Sequence, residues 1–311
     1  MSSRELSNVP QSVHDRLLRQ ARQSDRPFNE LLLYYGIERF LYRLAQTEHA
    51  GRFVLKGALL LRAEGAGPTR PTRDIDVLDL NTLDLEARKE TVEAAVRDAI
   101  ATGVPDDGMT YDPDTIDIQE IRSGGKYQGL RVTFLGHLGT ARVPMQIDIG
   151  TGDVIEPGPQ QVEYPGLLDY DRPVLLGYPL GQVVAEKFEA IVDLGTANTR
   201  MKDFYDIWVL SRRRAFEGPS LQTAIGSAFK RRGTPLPSER PIALTETFLE
   251  AGPRRQQWAS FTEKARLPGE VPLPEVLSEL GEFLVPPTRA AFQERRFSKV
   301  WPKGGPWKPK Q

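Results

Sequence analysis

Two carboxylates two residues apart, Asp74 and Asp76, carry the sharpest chemical signal in the chain. They lie in Thr69–Asp79, TRPTRDIDVLD, and alternate with the β-branched residues Ile75 and Val77. That alternation is the period of a half-buried strand. Residues i and i+2 of a strand point the same way, so both carboxylates share one face, about 7 Å apart at the usual rise. Ile75 and Val77 then face a core. Two carboxylates in a dry groove repel unless a cation sits between them. An oxygen-only donor set suits Mg²⁺ or Mn²⁺, and such a strand can seat metal-assisted phosphoryl or nucleotidyl transfer. An Asp-x-Asp on a strand edge can equally be a solvated face.

Other stretches bear on the same chemistry. Upstream, Phe53–Leu61 is an apolar run broken by Lys56 and Gly57, then Ala58. A glycine at such a turn lets backbone N–H groups approach a phosphate closely. Downstream, Arg142–Ile149 reads as a strand with Met145, Ile147 and Ile149 on one face, and Gln146 and Asp148 on the other. Asp148 is therefore presented as Asp74 and Asp76 are. In Leu180–Leu194, Val184, Phe188 and Ile191 form an apolar helical stripe. Lys187 stands about 60° from its centre, where a lysine buries its stem and offers its ammonium at a groove edge. Next comes Arg200-Met201-Lys202-Asp203-Phe204-Tyr205-Asp206. Phe204, Ile207 and Trp208 pack inward; Asp203 flanks that face, whereas Asp206 is expected to point away. Asp203 is a site residue, a helix cap or an ion-pair partner that orients Lys187.

Taken together, Val54–Asp79, Asp148 and Lys187–Leu210 resemble the nucleotidyltransferase superfamily, and within it the AbiEii/AbiGii toxins, which include the mycobacterial MenT-type toxins. The resemblance covers most of residues 30–215 and thins beyond them. It implies that Asp74, Asp76 and Asp148 bind a divalent metal. Asp148 would also help to activate an acceptor hydroxyl. It further implies that Lys56, Gly57, Ala58, Thr72, Arg73, Lys187, Arg200 and Lys202 meet the nucleotide, with Asp203 at the site. Arg70 and Arg73 are otherwise ordinary loop cations, and Thr72 an ordinary turn residue. One departure stands out: where the superfamily usually has Gly-Gly or Gly-Ser, this chain has Gly57-Ala58.

Composition sets limits. The 311 residues suffice for one large or two modest domains. A net charge of −1 provides no global basic field, so nucleic acid would have to be met by local patches. Without cysteine there is no disulfide framework and no thiol chemistry, which suits a reducing cytoplasm. The scattered His14, His49 and His137 do not suggest a histidine zinc site. No apolar signal core or membrane-length run is evident.

The elements that must position these groups give an α/β (α+β) fold: a small mixed sheet carrying the aspartates, with helices behind it. Residues 1–50 are expected to be helices (8–26 and 28–47) packing on the core, with Asn29 capping the second. Residues 51–179 form the nucleotidyltransferase core. It has a short helix from Gly57, a helix over 84–102, a turn at Asp112-Pro113-Asp114, and a hairpin through Ser123-Gly124-Gly125. Gly152–Pro179 reads as loop. Residues 180–296 form a helical domain, with a helix pair about Pro286-Pro287, and nucleotide would lie in the cleft beside it. Residues 297–311 are a basic tail. From Arg295 it holds six Lys/Arg with Phe297, Trp301 and Trp307 interleaved, suited either to single-stranded RNA or to a disordered end.

The function implied is the toxin of a bacterial toxin–antitoxin pair that moves NMP from an NTP onto RNA, with the tRNA 3′ end as acceptor and pyrophosphate released. Its partners would be the NTP, tRNA or other RNA, and an antitoxin. The alternatives are a small-molecule nucleotidyltransferase of the antibiotic-modifying kind, and an inactive nucleotide-binding relative.

Overall fold

The computed structural model describes residues 8–24, 26–65, 71–81, 83–123, 127–267 and 271–310. Arg70 and the expected turn at Gly124–Gly125 lie outside them. The chain divides into two compact units. The first runs to Glu64 and includes Pro71–Val154 and Pro159–Gly177; the second holds Ile155–Gly158 and the chain from Tyr178.

In the first unit, α1 (Val9–Ser24) and α2 (Phe28–Ala45) precede β1 (Phe53–Leu55), α3 (Gly57–Ala63), β2 (Ile75–Asp79) and α4 (Leu85–Ala101). Three long strands follow: β3 (Met109–Ser123), β4 (Tyr127–Leu138) and β5 (Ala141–Thr151). Two short ones, β6 (Gln160–Glu163) and β7 (Val174–Gly177), complete a seven-stranded mixed sheet in the order β3-β4-β5-β2-β1-β7-β6. β2 runs parallel to β5 and β1 parallel to β7.

Alternation along β5 explains which face is left for chemistry. Val143, Met145, Ile147 and Ile149 are buried, while Arg142 and Pro144 are exposed and Gln146 and Asp148 half-buried. α2 lies close against the apolar face: a Cβ added at Gly36 would come within 2.9 Å of Val143 Cγ1. Arg43 ties α2 to the start of β3 with a fork to the Asp107 carboxylate, at 2.7 and 3.0 Å. At the start of α4, Asp84 accepts the Ala87 N–H at 3.1 Å, a side-chain cap.

The second unit opens with α5 (Leu180–Leu194) and α6 (Met201–Arg213), then β8 (Phe216–Glu217), α7 (Gly218–Arg232), α8 (Glu246–Glu250) and α9 (Arg254–Lys264). It closes with α10 (Leu273–Phe292), β9 (Lys299–Trp301) and β10 (Lys308–Pro309). The last two strands join β8 in a small sheet ordered β10-β9-β8.

The structure corrects five expectations. Pro27, not Asn29, occupies the position before α2, and no side chain caps that helix. Asp112-Pro113-Asp114 lies inside β3, where the register with β4 shifts between Asp112 and Asp117. A bulge absorbs the proline there, so the strand continues through it. Gly152–Pro179, read as loop, contains β6 and β7; both are too short to show a period above the surrounding prolines.

Pro286 and Pro287 do not separate two helices but lie within α10. A proline donates no N–H, which leaves the carbonyl four residues earlier without its helical partner. For Pro287 that carbonyl belongs to Phe283, and it accepts the Trp307 indole N–H at 2.9 Å. The same contact corrects one of the two alternatives for the basic tail, a disordered end: its residues up to Lys310 are folded. Trp307 stacks on Phe283 at 5.9 Å and meets Phe297 edge-on at 4.8 Å. Trp301 is 4% exposed, and its indole donates to the Ser211 carbonyl at 2.7 Å. Trp301 is buried and Trp307 half-buried, and both rings are engaged in packing within this segment. Among the described residues, no helix is long and apolar enough to cross a membrane. Trp307→Phe keeps a ring but leaves the Phe283 carbonyl without its donor; we expect a loss of about 1–3 kcal/mol in urea unfolding, with the far-UV spectrum retained.

Candidate active site

β2 and β5 pair in parallel with Asp76 directly opposite Asp148 and Ile75 opposite Ile147. Neighbouring strands stand about 4.8 Å apart, so the two carboxyl-bearing residues are immediate neighbours on one face. Asp74 stands two residues earlier, in the bend that leads into β2, and is half-buried. The three aspartates singled out from the sequence thus come from one strand pair. The remaining acid of the segment, Asp79, is committed elsewhere: Arg52 donates to both of its oxygens, at 2.8 and 2.6 Å.

An arginine that the sequence reading did not select sits among them. Arg131 of β4 is in register with Asp148 and grips it with two hydrogen bonds, Nε to Oδ1 at 2.8 Å and Nη2 to Oδ2 at 2.7 Å. The hydrogen bond to Asp148 raises the Arg131 pKa; partial desolvation opposes this, and the negative fields of Asp148, Asp74 and Asp76 add to the rise. The guanidinium therefore lies in the field of all three carboxylates. Gln146 also donates to Asp148, at 3.2 Å. Arg131 could be found only from the register of β4 on β5.

The Gly57 turn abuts the same group. The Lys56 N–H donates to the Asp76 carbonyl at 2.8 Å. Gly57 has φ +68°, and a Cβ there would fall 2.0 Å from Asp76 Oδ2. Glycine is required on both counts: the left-handed backbone and the room taken by the carboxylate. Ala58 is buried at the start of α3. The Lys56 ammonium lies over Gly150, 2.9 Å from where a Cβ would be, and 3.5 Å from Asp153. Thr72 donates its N–H to the Tyr34 hydroxyl at 3.2 Å, and its own hydroxyl lies 3.5 Å from the Asp74 carbonyl. Arg73 is exposed. Thr72, Arg73, Asp74 and Gln146 border a cavity of about 910 Å³.

The other predicted residues belong to the second unit. Lys187 of α5 is paired with two buried carboxylates of α6, Asp203 Oδ1 and Asp206 Oδ2, each at 2.9 Å. Asp206 thus turns inward with Asp203, not away from it. Both are nearly inaccessible, and Arg200 Nε lies 2.6 Å from the second oxygen of Asp203. Burial pushes the Asp203 pKa up, but Lys187, then Arg200 and Lys202, outweigh it and hold the carboxyl below its usual value. Lys202 is exposed.

Asp74, Asp76 and Asp148 offer oxygen donors only, which fits a hard divalent cation. Arg131 now holds both oxygens of Asp148, so an ion at this carboxylate would take the place of the guanidinium charge. Among the described residues, ligand atoms mutually within 4.8 Å occur at Glu48, His49 and Asp98. Glu48 and Asp98 there are exposed, and His49 simply bonds Asp98 at 2.9 Å. The ligand atoms of Asp74, Asp76 and Asp148 do not all come within 4.8 Å of one another; what aligns Asp76 and Asp148 is the register of β2 on β5.

The profile of the nucleotidyl transferase AbiEii toxin family, type IV toxin–antitoxin system, matches residues 39–291. The chain belongs to this family. It is accordingly a nucleotidyltransferase enzyme, and membership implies an NTP substrate and a cognate antitoxin. The seven-stranded mixed sheet with its helices is consistent with a nucleotidyltransferase-like fold. The structure of JHP933 from Helicobacter pylori is similar at 15% identity and a TM-score of 0.40, covering 76% of this chain and 95% of that one. A second Helicobacter pylori protein, provisionally described as a nucleotidyltransferase, is similar at 15% identity and a TM-score of 0.39, covering 94% and 97%. No curated protein matches the chain.

Two outcomes test this geometry. Gly57→Ala must displace Asp76 or distort the turn; we expect transfer to fall about 100-fold, read in an NMP-transfer assay, with only a modest loss of thermal stability. Lys187→Met leaves Asp203 and Asp206 buried without their ammonium and should cost about 3–5 kcal/mol. The pH dependence should separate the two proteins. Because the folded Asp203 pKa lies below 3.8, its contribution in the wild type is present above that value and is lost as pH falls through the folded pKa. In Lys187→Met, only Arg200 and Lys202 remain to oppose burial, so the Asp203 pKa should stand higher than in the wild type and less stability should be lost on acidification; urea titrations from neutral to acid pH compare the two slopes.

Proposed function

We propose that the protein transfers NMP from an NTP to the 3′-hydroxyl of an RNA, with the tRNA 3′ end as the acceptor, and thereby blocks translation as the toxin of its pair. The observation that carries this reading is the in-register opposition of Asp76 and Asp148 with Asp74 beside them. Mg²⁺ or Mn²⁺ held by these three carboxylates would supply Lewis-acid neutralisation of the reacting phosphate and lower the pKa of the attacking hydroxyl.

The chain's own groups then have distinct tasks. The Gly57 turn abuts Asp76 and the Lys56 ammonium lies beside Gly150, which supports a role for both in receiving triphosphate oxygens. Asp148 accepts the proton of the acceptor hydroxyl or orients that hydroxyl. Arg131, which balances Asp148 here, offers a planar fork suited to phosphate oxygens. Within the second unit, Asp203 and Asp206 hold the Lys187 ammonium, a nucleotide contact by resemblance, at a set position. The hydroxyl oxygen bonds to the α-phosphorus as the bond to the bridging oxygen breaks, and pyrophosphate carries the electron pair away.

The test is incubation with radiolabelled NTPs and total RNA. Label is expected in the tRNA band from the wild type. None is expected from Asp76→Asn, which should also lose toxicity while unfolding at a similar temperature. Full toxicity in that variant would overturn the reading, and label confined to a small molecule would reassign the acceptor.

A further inference from the structure

The order of groups along β2 and β5 distinguishes the two ends of the site. The strands are parallel and in register, so one direction serves for both. The Lys56 ammonium lies over Gly150, two residues beyond Asp148 on the same face. Gln146, two residues before Asp148, borders the cavity of about 910 Å³ together with Asp74. The sequence of features is therefore cavity, carboxylates, lysine, each step about 7 Å at the rise of a strand.

Nucleotidyl transfer imposes its own order. The attacking and leaving oxygens stand on opposite sides of the phosphorus. Gly57 stands at the level of Asp76, and the Lys56 ammonium alone reaches Gly150; with the terminal phosphates drawn to that ammonium, pyrophosphate departs toward Gly150 and the acceptor arrives from the Gln146 side. The cavity occupies that side.

Its lining also suits an RNA end. Leu33 and Leu135 are half-buried and give the cavity apolar wall, Arg73 and Arg142 are exposed at its border, and the one further acid beside Asp74, Glu30, is paired with Arg26. Thr133 and Leu135 of β4 stand opposite Gln146 and Pro144 of β5, so this wall continues the face that carries Asp148. An apolar wall with cations at its border takes a base and its phosphates without reading sequence. The volume lies within the range of pockets that enclose a ligand of nucleotide size.

We infer that the cavity beside Asp74 and Gln146 is the acceptor subsite and takes the terminal nucleotide of a single-stranded RNA 3′ end, with Arg73 and Arg142 on its phosphates. This rests on the transfer reaction proposed above. It moves Arg73 from the triphosphate, where the sequence resemblance put it, to the acceptor.

The experiment compares the full-length wild type with Arg142→Glu, and with Leu135→Trp, which fills the cavity without altering charge. Two quantities are read: labelled NMP transfer as a function of total tRNA concentration, and the Kd of a fluorescent NTP analogue with Mg²⁺ in the absence of RNA. Arg142→Glu should lower kcat/KM for tRNA about tenfold or more, from the lost and reversed phosphate contact, with the NTP Kd within about twofold of wild type because uniform binding at a separate subsite is untouched. Arg142→Lys should recover most of the transfer, which guards against misfolding. An NTP Kd that weakens in step with transfer would overturn the assignment, because the cavity would then hold the NTP's own base. Unchanged transfer in both Arg142→Glu and Leu135→Trp would also overturn it. A wild type that neither binds NTP nor labels any acceptor would instead defeat the underlying reaction, and the subsite with it.

Discussion

Parallel pairing of β2 with β5 is the constraint on which the rest of the site depends. It places Asp76 across from Asp148 and so brings together negative charges that favour separation. A fold tolerates such crowding only where positive charge is supplied. Arg131 supplies it here, reaching Asp148 from the next strand with two short hydrogen bonds. The Gly57 turn follows from the same crowding. The Asp76 carboxylate fills the volume a side chain would need, so the glycine is fixed by the aspartate quite apart from any phosphate it receives. A divalent ion would enter a face that is already arranged around cations.

The second unit repeats the logic with a different outcome. Lys187 stands half-buried between the buried carboxylates of Asp203 and Asp206, with Arg200 on the far oxygen of Asp203. Buried ion clusters of this kind contribute little net stability yet are costly to break. What they give is position: an ammonium held by two carboxylates cannot wander. The folded C-terminal segment plays a plainer part. Trp307 meets the carbonyl that Pro287 leaves open, so an aromatic residue near the end of the described chain completes α10.

Much of this was legible in the sequence because it rests on local period. Alternation in Asp74–Val77 and Met145–Ile149 identified both strands and the face each carboxylate takes, and the 3.6-residue stripe of Val184, Phe188 and Ile191 located α5 and Lys187. What was missed depends on contacts between distant segments. Arg131 is one of many charged residues until the register of β4 on β5 sets it against Asp148. Asp206 lies off the face of α6 that Phe204, Ile207 and Trp208 define, so periodicity alone turns it outward, whereas Lys187 approaches it from α5. β6 and β7 are held by pairing with their neighbours rather than by pattern, and the helix through Pro286-Pro287 needs a donor from about twenty residues away. The acceptor cavity had no local signature, since its wall is assembled from α2, β4, β5 and the bend before β2.

The most direct test of the central claim is anomalous diffraction from crystals grown with Mn²⁺ and a non-hydrolysable NTP. The account predicts a manganese peak between the carboxylates of Asp76 and Asp148, coordinated by their oxygens, with the Arg131 fork turned from Asp148 toward phosphate. A fully occupied ion elsewhere, for instance at Glu48, His49 and Asp98, with Arg131 still closed on Asp148 and nucleotide bound, would contradict it.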